Sequence, residues 1–124
     1  MGVKILIIED NPQDQKIFQR YLIRAGYAQV LLAANGEEGL ALAVKERPQI
    51  VVTDTNLPGM DGFEICRRVK AIDGLNARVI VMTGQVDAVD AGKAREHGAD
   101  DYCVKTSDCA PLIAAVKNLD IPSS

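Results

Sequence analysis

Five short runs rich in β-branched residues recur along the chain, each followed by a stretch in which apolar residues return every three to four positions. The runs are VKILII (3–8), AQVLLA (28–33), QIVVT (49–53), RVIVM (78–82) and DYCVK (101–105). Alternation of strand-like and helix-like segments is the pattern of βαβ units, which build a parallel sheet with helices on its faces. Three of the runs are apolar almost throughout, as strands covered on both sides must be. The expected fold class is α/β, a doubly wound, five-stranded parallel sheet with five helices.

The helical candidates have recognisable ends. Residues 12–25 open on Pro12, carry Ile17, Phe18, Tyr21 and Leu22 on one face, and stop at Gly26, a C′ glycine. Residues 36–46 hold Leu40, Leu42 and Val44 and stop before Pro48. The third candidate, 61–72, carries Phe63, Ile65, Cys66, Val69 and Ile72; the fourth, about 87–97, is rich in alanine and ends at His97-Gly98; the fifth is about 109–118. The Ala-rich fourth segment is expected to pack tightly, and His97 to cap its C-terminus, where the dipole favours a cation. A chain of 124 residues is expected to form one domain, residues 1–120, with 121–124 a frayed tail.

Composition excludes several function classes. A net charge of −3 with scattered Lys and Arg does not make the basic stripe that phosphate neutralisation needs, so no direct nucleic-acid contact is expected. The opening MGVKILIIEDN has an apolar run too short for a signal peptide and is followed at once by acids, so a cytoplasmic location without membrane association is expected. Met1-Gly2 is not read as a myristoylation site, because Val3 to Ile8 reads as a buried strand. The odd number of cysteines, Cys66, Cys103 and Cys109, lacks metal-type spacing and reads as small buried thiols in a reducing compartment.

The residues that end the runs carry the chemistry. Glu9-Asp10 follow the first run, Asp54 the third, Thr83 the fourth, and Lys105 ends the fifth; only the second run lacks such a group. In a parallel sheet these ends share one edge, where ligand crevices of open α/β sheets lie. Three clustered carboxylates repel one another, and a hard divalent cation with oxygen ligands relieves them. Magnesium fits, because it takes one or two carboxylates and leaves room for a phosphate oxygen. Lys105 supplies a compact charge for a phosphoryl group and Thr83 a hydroxyl donor, an arrangement for phosphoryl transfer to a carboxylate. The loop EDNPQD is acidic and lacks the glycines of a phosphate-cradling turn, so it is expected to bind a cation, not a nucleotide.

Four motifs, IIEDN (7–11), DTNLPGMDGFEICRRV (54–69), VIVMTG (79–84) and GADDYCVK (98–105), resemble those of response-regulator receiver domains of two-component signalling, the CheY-like family. The resemblance runs from about Val3 to about Leu119. It implies a flavodoxin-like sheet of order 2-1-3-4-5 and a signalling switch that is not an enzyme in its own right. Asp54 resembles the phosphoacceptor, phosphorylated by a sensor histidine kinase or a histidine phosphotransfer protein with Mg²⁺. Asp10 is similar to the direct metal ligand, Glu9 to its neighbour acting through water, and Asn56 to the residue that offers its backbone carbonyl. Thr83 resembles the switch hydroxyl, Tyr102 the aromatic that turns inward behind it, and Lys105 the lysine that pairs with the phosphoryl oxygens. Pro58, Gly59 and Gly62 match the loop that shapes the site.

Departures are equally specific. Thr106 follows Lys105 where the family usually has a proline joined by a cis bond, which leaves open how the lysine is aimed. Gly84 loosens the loop that carries Thr83, and the last helix has no arginine for the dimer mode of OmpR-like regulators. The alternative function is a degenerate receiver that binds partners without being phosphorylated. An aspartyl phosphatase of the haloacid-dehalogenase type is disfavoured, since Asn56 stands where a second Asp is needed. Output domain or protein, kinase and oligomeric state are not specified by the chain.

Overall fold

The structure, a computed structural model, describes residues 3–85 and 88–120. Strands β1 (Lys4–Ile8), β2 (Gln29–Ala33), β3 (Ile50–Asp54), β4 (Arg78–Thr83) and β5 (Asp101–Val104) alternate with helices α1 (Pro12–Arg24), α2 (Gly36–Glu46), α3 (Gly62–Lys70), α4 (Ala88–Glu96) and α5 (Ala110–Leu119). All strand pairs are parallel and the order is β2-β1-β3-β4-β5. The three runs that are most apolar in sequence form the three inner strands. β2 and β5 form the edges and are only partly buried.

The pleat sorts side chains into two cores. Ile5, Ile7, Ile50, Val52, Ile80 and Met82 face Phe18 and Leu22 of α1 and Leu112 and Val116 of α5. Their neighbours Leu6, Ile8, Val51, Val79 and Val81 face the other way, toward Ala43 of α2, Ile65, Cys66 and Val69 of α3, and Ala94 of α4. Successive residues of a strand point to opposite faces, so every inner strand contributes to both layers.

Element ends differ from the sequence expectation where local chemistry intervenes. Gly26, at φ +106°, follows the cap residue Ala25 of α1 as expected. α2 sets Gly39 against Ile8 of β1 and Gly36 against Ile65 of α3 and Met60, and buries Ala43, while Val44 is half exposed; the small residues let the helix approach its neighbours closely. α3 starts one residue later than expected: Asp61 is its N-cap, accepting the Glu64 amide at 2.9 Å. Thus Asp61 is a capping acid. α4 buries Ala94 completely but leaves Val89 73% exposed, so its tight packing rests on one alanine among the described residues. His97 Nδ1 lies 2.8 Å from the Lys93 carbonyl, in the capping position expected for it. α5 begins at Ala110, not at 109, because Cys109 takes up φ +57°. The three cysteines are free and buried. No helix among the described residues is long and apolar enough to cross a membrane. The expected fourth-helix start at 87, the N-terminal Met1-Gly2 and the tail 121–124 lie outside the described residues.

Candidate functional site

The carboxyl ends of β1, β3 and β5 build a charged cluster above the α1/α5 layer. Glu9 and Asp54 continue the pleat of Ile5-Ile7 and Ile50-Val52, and Lys105 that of Cys103, so all three emerge on the same face of the sheet. Lys105 Nζ donates to Asp54 Oδ2 at 2.5 Å and to Glu9 Oε1 at 2.6 Å, and lies 3.7 Å from Asp14 Oδ2. The Phe18 ring lies beneath the ammonium, its centroid 5.9 Å away. Lys105 itself stands one residue past the end of β5, a correction to the expected strand. Its amide nevertheless donates to the Thr83 carbonyl at 2.7 Å and prolongs the ladder.

The backbone holds each acid in place. Asp54 is 6% exposed; the Asn56 amide donates to its Oδ1 at 3.1 Å, and the Thr55 amide ties the strand end to the Met82 carbonyl at 2.9 Å. Glu9 is 1% exposed and accepts the Asn11 amide at 3.2 Å, while Gln15 Nε2 donates to its backbone carbonyl at 2.6 Å. Gly62 permits the loop to fold back: its amide donates to the Thr55 carbonyl, and a Cβ there would collide with the Asp54 carbonyl.

Burial and pairing compete in the electrostatics. Burial is the main influence on Glu9 and raises its pKa, against the lowering effect of Lys105 and the Asn11 amide. For Lys105, burial alone would lower the pKa, but the hydrogen bonds to Asp54 and Glu9 together outweigh it and lift the group to about 12. The ammonium therefore stays charged throughout the physiological range.

Carboxylate oxygens of Glu9, Asp10 and Asp54 all lie within 4.8 Å of one another. Asp10, the exposed member, points no oxygen at Lys105 among the described contacts, so the single ammonium pairs with two of the three acids but offsets the charge of only one. A hard, oxygen-only donor set with surplus negative charge suits a divalent cation such as Mg²⁺.

Thr83 and Tyr102 are not joined to this cluster. Thr83 continues the pleat of Val79 and Val81, on the opposite face from Asp54. Its hydroxyl donates to the Gln85 carbonyl at 3.0 Å and lines a cleft of about 600 Å³ together with Asn56, Asp61 and Lys93. Tyr102 shares that face, beside Val81 and two residues from the Thr83 rung, and its buried hydroxyl has no hydrogen-bond partner. Sequence reasoning missed Asp14 and Gln15; the only signal was their place in the first turn of α1, beside the acidic pair.

The family model of the response regulator receiver domain matches residues 5–117. This chain belongs to that family. Among curated proteins, the receiver is 43% identical over 113 residues to the transcriptional regulatory protein AfsQ1 of Streptomyces coelicolor, an alignment covering 91% of this chain and 49% of AfsQ1. It is 40% identical over 119 residues to sporulation initiation phosphotransferase F of Bacillus subtilis, covering 94% and 93%. The chain thus spans about half the length of several curated relatives and nearly all of one other. Among solved structures, the chemotaxis protein CheY4 of Vibrio cholerae superposes with a TM-score of 0.88 at 26% identity, covering 96% of this chain and 99% of that one. A LuxR-family two-component response regulator from an Aurantimonas species gives 0.88 at 35% identity, covering 96% and 85%. The CheY-like, flavodoxin-type architecture and the two-component assignment agree with the sequence motifs.

Proposed function

We propose that this receiver is a phosphorylation-dependent switch in which Asp54 accepts a phosphoryl group from the phosphohistidine of a sensor kinase or of a histidine phosphotransfer protein. The observation that carries the reading is the ammonium of Lys105 bridging Asp54 and Glu9 at 2.5 and 2.6 Å, at a sheet edge where a third acid stands beside them. A carboxylate oxygen of Asp54 attacks phosphorus; the new O–P bond forms as the P–N bond breaks, and the electron pair stays on the imidazole nitrogen. The Asn56 amide holds one carboxylate oxygen in a fixed direction, which leaves little reorientation before attack. Lys105, charged at working pH, moves from the free carboxylate to the transferred phosphoryl oxygens.

Asp10, Asp54 and the Asn56 carbonyl would hold Mg²⁺, with Glu9 acting through water. When bound, Mg²⁺ supplies a divalent charge that offsets both the carboxylate repulsion and the charge gathering on the phosphoryl oxygens. Thr83 and Tyr102 would carry the signal outward. The Thr83 hydroxyl gives up Gln85 for the phosphoryl group, and the orphaned Tyr102 hydroxyl, which costs roughly 1–3 kcal/mol while unpaired, gains a reason to move. The resulting change of surface is read by an output domain or protein, without direct contact between this domain and nucleic acid or membrane.

Acetyl phosphate or beryllofluoride with Mg²⁺ tests this. Intact mass and peptide mapping are expected to find the adduct on Asp54 and none in Asp54→Asn; an undiminished adduct in that variant would refute the assignment.

A further inference from the structure

The turn that follows Lys105 is closed on itself. Thr106 makes two bonds inside it: its hydroxyl donates to Asp108 Oδ1 at 2.8 Å, and its carbonyl accepts the Cys109 amide at 3.3 Å. The same Asp108 oxygen accepts the amide of Ala110, the first residue of α5, at 3.1 Å. The Cys109 carbonyl then accepts the Ile113 amide at 2.9 Å, so the turn runs without a break into the helix. No cis peptide bond occurs among the described residues, and the lysine nevertheless reaches both acids.

We propose that Thr106 and Asp108 are positioning residues for Lys105, their hydroxyl–carboxylate pair fixing the direction in which the lysine leaves the sheet by tying the residue after it to the start of α5. Three carboxylates compete for this ammonium: Asp54 at 2.5 Å, Glu9 at 2.6 Å and Asp14 at 3.7 Å. A four-carbon stem can reach any of them, so the choice depends on where the backbone launches it. The amide of Lys105 is pinned on one side by the Thr83 carbonyl. On the other side the turn is held by the Thr106–Asp108–Ala110 chain and by the longer backbone bond from the Cys109 amide to the Thr106 carbonyl. Both side chains are suited to holding a turn rigidly, because Thr is stiff at χ1 and a bond to an ionised acceptor is stronger than a neutral one. The Ala110 amide first, and the Thr106 hydroxyl second, keep the Asp108 carboxyl below its ordinary range and therefore ionised.

The effect on phosphoryl transfer rests on the reading of Asp54 as phosphoacceptor; the placement of Lys105 does not. The test therefore compares Thr106→Val, which keeps the shape and removes the donor, Asp108→Ala, and Thr106→Ser, which restores the donor. In metal-free, unphosphorylated protein, the ¹⁵N signal of the Lys105 ammonium is expected to be slowly exchanging and sharp in the wild type. It should be broadened or lost in Thr106→Val and Asp108→Ala, and regained in Thr106→Ser. With acetyl phosphate and Mg²⁺, the maximal rate of adduct formation should fall roughly three- to tenfold in the first two, as expected for one lost hydrogen bond. The half-saturating Mg²⁺ concentration should not change. Wild-type ammonium signals in both Thr106→Val and Asp108→Ala overturn the inference whatever the rates do. If the wild type takes no adduct, the phosphoacceptor reading fails, and the ammonium signal still decides the role of Thr106 and Asp108.

Discussion

Replacing Lys105 by methionine removes the ammonium while keeping an unbranched chain of similar length over Phe18. Burial opposes the charge on Lys105, and the hydrogen bonds to Asp54 and Glu9 that overcome it lift the group from its ordinary 10.5 to about 12, so the bridge stabilises the fold at neutral pH. Its loss strands Glu9, 1% exposed, without its cation. Removing one partner of a buried pair costs about 3–5 kcal/mol. At about 4 °C per kcal/mol for a domain of this size, the melting temperature of metal-free Lys105→Met should fall by roughly 12–20 °C. Two pH signatures accompany the loss. Because the folded-state pKa of Lys105 is raised, its contribution in the wild type is complete below pH 10.5 and disappears as pH climbs through about 12. Glu9 is also raised, by burial, so protonation favours the folded form and the deficit of Lys105→Met should shrink on acidification toward the ordinary carboxylate range. Removing the ammonium also frees carboxylate oxygens for a metal, so Mg²⁺ should bind the variant more tightly and restore part of its stability. Urea and thermal denaturation with and without Mg²⁺ measure all of this. A loss below about 0.5 kcal/mol, typical of an exposed ion pair, would refute the buried-bridge account, and a collapse of Mg²⁺ affinity would refute the division of labour between lysine and metal.

Gly62→Ala places a Cβ against the backbone of Asp54 and Thr55, which cannot yield as a side-chain tip can. It should cost about 2–3 kcal/mol in urea unfolding with an unchanged slope and slow adduct formation on Asp54, whereas an unaltered midpoint would mean that the loop takes another path. The buried thiols should be inert in the native state, since burial pushes Cys66 up to about 11 and Cys103 up to about 12, and Cys109 upward as well. Labelling with a thiol disulfide reagent at pH 8 should modify none of them until the protein unfolds; labelling faster than global unfolding would contradict their place in the core.

The alternation of apolar runs and periodic segments was enough to read the sheet, its inner strands and the edge that carries the acids, because period and burial are local properties of the sequence. Asp54 was legible for the same reason: an acid ending a buried run is costly without a partner. Lys105 was legible as a charge but not as a geometry. Its departure from proline at the next position left its direction open, and the direction is set by hydrogen bonds within the turn and to β4. Thr83 was expected at the edge that carries the acids and Tyr102 behind it; Thr83 does end β4, but the pleat puts both on the opposite face of the sheet from Asp54, and Thr83 is held by Gln85. The alternation of side chains could have signalled this, had it been followed past the last apolar residue of each run.

The division between the two levels is physical. Residue type and spacing alone determined the class of fold, the identity of the charged groups and the chemistry open to them. Which charges meet, and which oxygen of each is free, was decided only when strands distant in sequence were brought into register. There Lys105 engages two of three neighbouring carboxylates and leaves Asp10 at the surface. Such choices depend on distances of an ångström or less, and a chain of flexible side chains acquires those only from the backbone that holds them.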